Sequence, residues 1–302
     1  MKNFIKFIFL GNYFIGLLAI ALSIESNVQL RLPLNSIVYY ILLFSIAVFY
    51  YTYAYIGPLY SKTSKNPRTE WYRKNHYFII SSQWFLFIVF ATLSVIFLYK
   101  HFNAIKQLNA LYCLVIFVTL LSGIFYYGLL PRSFYKINLR NTGWLKAFVI
   151  GFVWACSANF LSFIVLQIEK GQYNIDPILL IWLFVKNWMF CTVNAIMFDI
   201  KDYANDSNRE LKTFVVRYGL RKTIYFILLP LIIIGLFSLV AFATARNYGV
   251  ITLVINLVPF ILLLMIAWSM LRPRRIMYYL IVIDGLIFLK ALCGIAGMQF
   301  IH

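Results

Sequence analysis

Long runs of apolar residues with hardly a charge among them constrain this chain more than any other feature. Nine runs are long enough to span a bilayer, at roughly 4–23, 35–57, 77–99, 107–130, 143–167, 177–200, 220–242, 249–271 and 276–301. A bilayer core needs about 20 apolar residues in a helix, and in lipid the backbone must satisfy its own hydrogen bonds, which excludes open strands. The runs predict an all-α, polytopic membrane protein, a bundle of about nine transmembrane helices in a single domain, 1–302.

The basic residues are distributed unevenly between alternate loops. The net charge is +18, and most Lys and Arg fall near the N terminus and in the loops after the second, fourth, sixth and eighth predicted spans. This is the positive-inside pattern of membrane proteins, so the charge does not indicate a nucleic-acid partner. It predicts a multi-pass protein of a bacterial cytoplasmic (inner) membrane, with the N terminus cytoplasmic and the C terminus outside.

Two loops on the predicted cytoplasmic side, 58–76 and 201–222, stand out for their length and charge. They follow the second and sixth spans, four spans apart, which predicts two four-helix halves in the same orientation plus a ninth helix. The two loops have a weak sequence similarity, between NPRTEWYRK at 66–74 and NRELKTFVVRYGLRK at 208–222. Both loops would lie on one face of the membrane and could enclose one site.

Three of the nine acidic residues lie close together at the end of the sixth predicted span: Asp199, Asp202 and Asp206. At positions i, i+3 and i+7 of a helix they share one face, within an arc of about 60°. Because three like charges repel, a cation should compensate them, most simply a divalent metal with its anionic ligand. The alternative is a solvated helix end, although Asp at a C-terminal end opposes the helix dipole.

The residues around these aspartates resemble the UbiA superfamily of intramembrane prenyltransferases. The family's second motif reads DxxDxxxD, then a basic residue and Thr, then a short run into Arg-x-Gly. The matching residues here are Asp199, Asp202 and Asp206, then Lys212-Thr213, then Arg217-Tyr218-Gly219. The resemblance implies that the aspartates bind a prenyl diphosphate through Mg²⁺. It also implies transfer of an allylic or polyprenyl group to a lipid-soluble, aromatic acceptor, a step in lipid or quinone biosynthesis.

The family's first motif is missing from this chain. A run of the form NDxxDxxxD, often followed by PRT, is expected at the end of the second span. The chain keeps Asn66-Pro67-Arg68-Thr69, but the positions of the motif's Asn and three Asp hold Tyr55, Ile56, Leu59 and Thr63. Since Mg²⁺ requires a full shell of oxygen ligands, one acidic cluster is expected to hold at most one metal ion.

Basic residues of the same loop could bind the diphosphate directly. Lys62, Arg68 and Arg73 carry the charge-assisted donors that suit phosphate oxygens. Positive-inside topology alone also explains these residues, without any ligand.

Three further residues are candidates for the substrate site. Lys212 could reach a phosphate if its loop folds back as a lid, and Asn194 could line the site or bond a neighbouring helix. Tyr55 belongs to an aromatic cluster that could stabilise an allylic cation or form an interfacial belt. The predicted substrate-binding residues are Lys212, Arg68, Lys62, Arg73, Asn194 and Tyr55; the predicted catalytic and metal-binding residues are Asp199, Asp202 and Asp206.

Two lysines, Lys186 and Lys290, lie near the middle of predicted spans, where ionisable groups usually mark a cavity or a pair. The only acid within a nearby predicted span is Asp284, which does not share a face with Lys290. Two interpretations stay open: a cation facing an anionic acceptor such as an aromatic acid, and a neutral or snorkelling lysine bonded to backbone carbonyls.

Two other functions stay open at this stage. The first is a catalytically degenerate UbiA-like membrane protein that acts as a binding or accessory subunit of a lipid pathway. A transporter is less favoured, because the charge lies in loops on one face rather than along a path through the bilayer. Metal-dependent binding of a prenyl diphosphate would distinguish the transferase from the accessory subunit.

Overall fold

The computed structural model of the chain describes residues 2–56, 67–127, 143–171, 173–208, 211–272 and 276–300. Within those ranges every regular element is a helix, which confirms the predicted all-α class. The helices are α1 (Lys2–Leu10), α2 (Tyr13–Gln29), α3 (Ile37–Ile56), α4 (Pro67–Lys74), α5 (His76–Lys100), α6 (Phe102–Lys106), α7 (Ala110–Tyr127), α8 (Leu145–Lys170), α9 (Pro177–Asn208), α10 (Phe214–Tyr218), α11 (Leu220–Ala245), α12 (Val250–Ser269) and α13 (Ile276–Phe300).

Six helices of the described residues, α5, α8, α9, α11, α12 and α13, are long and apolar enough to cross a membrane. A seventh span results if α1 and α2, bent by 65°, are taken as one. The predicted count of nine is not confirmed, because the predicted spans 35–57 and 107–130 correspond to the shorter apolar helices Ile37–Tyr53 and Ala110–Tyr126. The chain is an integral, multi-pass membrane protein; its sidedness and its two-half arrangement stay predictions.

The bend between α1 and α2 has a local cause. Gly11 and Asn12 separate the two helices, and Asn12 has a φ of 64°, a left-handed conformation typical of the residue that ends a helix. The helix that follows runs to Gln29. It therefore continues beyond residue 23, the predicted end of the first span, and Glu25 lies inside a helix rather than in a loop.

The longest helix, α9, starts at a pair of residues that favour the beginning of a helix. The side chain of Asp176 accepts a hydrogen bond from the backbone N–H of Ile178 at 2.9 Å, and Pro177 occupies the first helical position. With 32 residues, α9 is about 48 Å long and exceeds a hydrocarbon core of about 30 Å. Residues 201–208 of the predicted second loop are therefore helical, and the helix carries all three aspartates.

The chain forms two compact units. The first contains Met1–Ala21, Asn35–Leu108 and Val165–Gly171, and the second contains Leu22–Leu34, Asn109–Ile164 and Gln172–His302. In the first unit, the Tyr13 and Ser82 hydroxyls are 2.6 Å apart, which links α2 to α5. A core cluster of the second unit consists of Leu30, Phe163, Leu179, Leu180, Leu183 and Phe242.

Candidate active site

The first aspartate of the acidic motif forms a buried ion pair. Nζ of Lys146, near the start of α8, lies 2.8 Å from Oδ1 of Asp199. Asp199 is only 3% exposed and Lys146 only 9%. The structure therefore compensates this carboxylate with an ammonium group of the protein itself.

The other two aspartates lie on the same helical face. Because α9 is helical as far as Asn208, the positions of Asp199, Asp202 and Asp206 keep the spacing i, i+3 and i+7. The side chains of Asp202 and Asp206 lie outside the described residues. Among the side chains that are described, no three of His, Cys, Asp or Glu form a group that could hold a metal ion. Metal binding by this motif stays a prediction.

The segment after α9 folds back against the start of α8. Gly143 has a φ of 68° and lies so close to the backbone of Lys212 that a Cβ at this position would collide with the Lys212 carbonyl. Any other residue at this position would have a strained backbone and a steric clash with Lys212. The close approach places Lys212, whose side chain is exposed, near the helix end that carries Lys146. Lys212 thus packs through its backbone against the start of α8, while its predicted folding as a lid and its contact with a phosphate stay predictions.

Aromatic contacts and a cap fix this folded-back segment. The ring of Phe214 lies 6.3 Å from that of Trp144 and 6.2 Å from that of Phe148, measured between centroids. The buried side chain of Thr213 caps α10 by accepting a hydrogen bond from the N–H of Val216 at 3.4 Å. The start of α8 and residues 213–218 therefore form one packed region.

Asn194, a predicted substrate-binding residue, is buried within α9. Its side-chain amide donates a hydrogen bond of 2.8 Å to the carbonyl of Phe190 in the same helix. Its Oδ1 has no hydrogen-bond partner among the described residues. Among the described residues, the Asn194 side chain thus forms no hydrogen bond with a neighbouring helix. Its role toward the substrate stays a prediction.

Arg68, in the first unit, is a buried residue that joins α4 to the break between α1 and α2. Its Nε and Nη2 donate to the carbonyl of Leu10 at 3.2 and 3.0 Å, and Nη2 also donates to Oδ1 of Asn12. A cation at the C-terminal end of α1 is favourable for the helix dipole. These contacts give Arg68 a structural role in holding the helix break; its predicted contact with a diphosphate stays untested.

Tyr55 belongs to the same group of residues around Arg68. Nη1 of Arg68 donates to the Tyr55 hydroxyl at 3.1 Å, and the guanidinium carbon lies 4.1 Å from the ring centroid. The Tyr55 and Tyr72 rings are 5.4 Å apart. Burial raises the pKa of the Tyr72 hydroxyl, while the Arg68 charge acts in the opposite direction. The region of the missing acidic motif therefore contains an arginine–tyrosine cluster.

The remaining basic candidates of the first loop give less information. Arg73 is exposed in the last turn of α4. Lys62, with Leu59 and Thr63, lies outside the described residues. The roles predicted for Lys62 and Arg73 stay predictions.

Lys186 and Lys290 share one carboxylate, that of Glu25. In this Glu25 cluster, Nζ of Lys290 lies 2.5 Å from Oε2, and Nζ of Lys186 lies 3.4 Å from Oε1. The interpretation that Asp284 is the only acid near these lysines is wrong, because α2 extends far enough to carry Glu25 into the core. Neither a free cation facing an acceptor nor a lysine bonded only to carbonyls describes these two residues.

Amides and aromatic rings complete the Glu25 cluster. Lys186 donates to Oε1 of Gln29 at 2.5 Å, and Lys290 donates to Oδ1 of Asn187. The ammonium groups also face the rings of Phe242 and Phe190, at 5.8 and 6.0 Å, near the outer limit for a cation–π contact. Every ionised group of the cluster therefore has several partners inside the protein.

The side chains of the Glu25 cluster have room to pack because α13, the helix that faces them, has a glycine at this position. A Cβ at Gly294 of α13 would collide with the side chains of Glu25 and Gln29. A glycine in a transmembrane helix commonly allows such a close approach. The site is enclosed, so the argument for an anionic aromatic acceptor that rested on Lys186 and Lys290 loses its support.

Lys146 and Glu25 are the residues that sequence reasoning missed. Positive-inside topology alone accounts for Lys146, and the sequence gives no spacing that relates it to Asp199 on another helix. Glu25 lies only two residues beyond the predicted first span, so a longer helix would have revealed it as an intramembrane acid.

Comparisons with known proteins agree with this architecture. The model of the UbiA prenyltransferase family matches residues 79–276, about two thirds of the chain, a region that includes the acidic motif. A solved structure from "Structural and mechanistic insights into the biosynthesis of Digeranylgeranylglyceryl phosphate synthase in membranes" shares the fold, with a TM-score of 0.58 at 14% identity over 100% of both chains. No curated protein shows significant similarity to the sequence. The chain belongs to the UbiA prenyltransferase family.

Proposed function

We propose that this protein is an intramembrane prenyltransferase that moves an allylic or polyprenyl group from a prenyl diphosphate to a lipid-soluble acceptor. The observation that carries the proposal is the end of α9. There, three aspartates share one helical face, and the Lys212 segment folds back to the same region of the second unit. These residues would supply anionic ligands for a metal and a cation for phosphate at the edge of an apolar bundle.

The chemistry follows from this placement. A prenyl diphosphate has an anionic head and an apolar tail, and the two suit a polar helix end and a bundle of apolar helices. Heterolysis of the allylic C–O bond gives a carbocation and diphosphate, and the apolar surroundings protect the cation from water. The exposed ammonium of Lys212 would bind the departing diphosphate as a point charge.

Carboxylate oxygens are the ligands that Mg²⁺ takes in proteins, so the acidic face fits the metal on which the family generally depends. Asp202 and Asp206, four residues apart on α9, are neighbours on the helix surface. When bound, Mg²⁺ would neutralise the charge that develops on the diphosphate. With the N terminus cytoplasmic, as the charge pattern predicts, the site opens toward the cytoplasm of a bacterium.

A transfer assay on the purified protein tests this proposal. The protein in nanodiscs is incubated with radiolabelled prenyl diphosphates of several chain lengths and with aromatic and glycerolipid acceptors, in the presence of Mg²⁺ or a chelator. We expect a prenylated product and released diphosphate only with Mg²⁺. Asp202→Asn should lower the rate by at least about 100-fold, as for other groups that stabilise a developing charge.

Asp176→Asn is the matched control, because Asp176 lies at the opposite end of the same helix and Asn also serves as a cap. This variant should transfer at the wild-type rate. Activity that Asp202→Asn leaves unchanged would contradict the assignment of the motif. Binding of the prenyl diphosphate without turnover over the whole panel would instead favour a binding or accessory subunit.

A further inference from the structure

We propose that α1 lies in the membrane interface as an amphipathic anchor for the anionic phosphate groups of bilayer lipids, so that the first membrane span begins at α2. The inference is independent of the proposed function, because it concerns the first unit and uses no residue of the acidic motif. Two observations carry it: the 65° bend between α1 and α2, and the separate polar, apolar and packed faces of α1.

The lengths of the two helices fit this arrangement. With 17 residues, α2 is about 25 Å long, and the nine residues of α1 add about 14 Å. A hydrocarbon core is about 30 Å thick, and a helix of about 17 residues is long enough to span it. The polar residues in the second half of α2, such as Glu25 and Gln29, are buried in the protein rather than exposed to lipid. A bend of 65° from a helix near the membrane normal then places α1 closer to the membrane plane than to the normal.

The side chains of α1 fall on a polar and an apolar face. Lys6 is exposed, and the helix contains no acid. Phe4, which is 68% exposed, and Ile8, which is partly exposed, lie two residues before and after Lys6 and therefore on the opposite side of the helix. Such a division between a cation and exposed apolar groups is typical of helices that lie among lipid headgroups.

A third face of α1 packs on the protein and fixes its level. The ring of Phe7 lies 5.1 Å from that of Trp71 in α4 and 4.7 Å from that of Phe78 in α5, both edge-on. Trp and Tyr concentrate at the boundary between membrane and water, so Trp71 and Tyr77, which is 80% exposed, mark that boundary. These contacts therefore hold α1 beside interfacial aromatic residues rather than in the core of the bilayer.

The junction between α1 and α2 is polar as well. Arg68 of α4 donates to the carbonyl of Leu10 at the end of α1 and to the side chain of Asn12. Charged groups are costly near the bilayer centre, so this junction belongs at the membrane surface. The exposed Lys74, in the last turn of α4, adds a second cation to that of Lys6. Anionic lipid phosphates complement such cations beside an apolar helix face.

A depth scan by electron paramagnetic resonance tests the position of α1. The accessible Cys113 and Cys293 are replaced by Ala, and a spin label is attached in turn to a cysteine at each of residues 4–9 of the protein in nanodiscs. Collisions with oxygen and with a nickel chelate give the depth of each label. We expect a depth that oscillates with a period of about 3.6 residues, with Phe4 and Ile8 deeper than Lys6.

The scan distinguishes an interfacial helix from the alternatives. A label at Leu17, which is 45% exposed on α2, gives the reference depth of the core. Depth that increases by about 1.5 Å per residue without oscillation would show a continuous span and overturn the proposal. Labels at Phe4 and Ile8 that meet the nickel chelate as often as the label at Lys6 would place α1 in water and overturn it too.

Lipid binding measured by native mass spectrometry tests the proposed partner. The affinity of the protein in detergent is determined for phosphatidylglycerol, which is anionic, and for phosphatidylcholine, which has no net charge. Lys6→Gln/Lys74→Gln should weaken phosphatidylglycerol binding by at least about fivefold, as expected for loss of cations near an anionic lipid. Binding of phosphatidylcholine should stay within about twofold of the wild type, since that lipid has no net charge for the lysines to attract.

Lys100→Gln/Lys106→Gln is the matched control, because it removes two exposed lysines of the same unit, at the other end of α5 and in α6. This variant should bind phosphatidylglycerol with nearly the wild-type affinity. An equal loss in the control, or no loss in Lys6→Gln/Lys74→Gln, would show that α1 and α4 have no specific contact with anionic lipid. Either result would contradict the proposal, while the proposed function stands.

Discussion

The Lys146–Asp199 pair and the Glu25 cluster are two buried ionic sites of the same unit, yet they differ in composition and in surroundings. At Glu25, two lysines share one carboxylate, and Gln29 and Asn187 each accept a further hydrogen bond from one of the lysines. The Lys146–Asp199 pair lies about 20 Å further along α9, counted from Lys186, and beside it the helix carries two more aspartates. The enclosed cluster is complete within the protein, whereas the helix end has an excess of acid. We infer that the first is structural and that the second faces a ligand.

The largest effect is expected at the centre of the enclosed cluster. Glu25→Gln leaves two buried ammonium groups without a carboxylate, and loss of one partner of such a site costs about 3–5 kcal/mol. We expect a large fall in the free energy of unfolding, measured by SDS titration of the protein in mixed micelles.

Glu70→Gln serves as the control, because Glu70 is exposed on α4. If Glu25→Gln is as stable as this control, the Glu25 cluster has no structural role.

A smaller effect is expected when one of the two lysines is removed. Lys290→Met keeps similar volume and leaves Glu25 paired with Lys186, so the cluster becomes neutral. The change removes the hydrogen bond to Asn187 and the shorter of the two contacts with Glu25, but it also removes the repulsion between the two ammonium groups, so we expect a net loss of about 1–2 kcal/mol in the same titration. A loss equal to that of Glu25→Gln would show that the carboxylate requires both lysines.

At the helix end, a change should act on ligand binding rather than on stability. Lys212→Met removes an exposed ammonium group, so the unfolding transition should stay at its wild-type position. Binding of a prenyl diphosphate should weaken about tenfold, or about 1.4 kcal/mol, for loss of a charged hydrogen bond. Isothermal titration calorimetry measures this change. Unaltered affinity would remove Lys212 from the site.

The smallest effect is expected at the cap that fixes the Lys212 segment. Thr213→Ala removes the acceptor for the N–H of Val216 and should cost about 1 kcal/mol. We expect a several-fold rise in KM for the prenyl diphosphate with kcat preserved, and Thr213→Ser should restore the wild-type KM. A lowered kcat with normal KM would indicate a different role for this residue.

The sequence was most informative where a local pattern determines the structure. The apolar runs predicted the helical class, and the spacing of the three aspartates predicted a shared face that α9 provides as far as Asn208. Asp176-Pro177 marks the start of that helix in the manner expected of a capping residue. The family match from residue 79 to 276 likewise includes the second motif and begins after the position of the first.

Contacts between distant helices were not predictable in the same way. The pairing of Lys146 with Asp199 depends on how α8 packs against α9, and no periodicity encodes that packing. The Glu25 cluster depends on the length of α2 and on space at Gly294, both of which follow from tertiary structure. Arg68 belongs to the Pro-Arg-Thr run that resembles the end of the family's first motif. The structure additionally gives Arg68 contacts with Leu10 and Tyr55, which the resemblance did not suggest.

The most direct test of the account is the binding of a non-hydrolysable prenyl diphosphate analogue to the purified protein, with and without Mg²⁺. The wild type is compared with Asp202→Asn/Asp206→Asn and with Asp176→Asn. We predict Mg²⁺-dependent binding that the double variant loses and the Asp176 variant keeps. Absence of binding by the wild type in both conditions, or equal binding by the double variant, would contradict the assignment of the α9 acidic face as a prenyl diphosphate site.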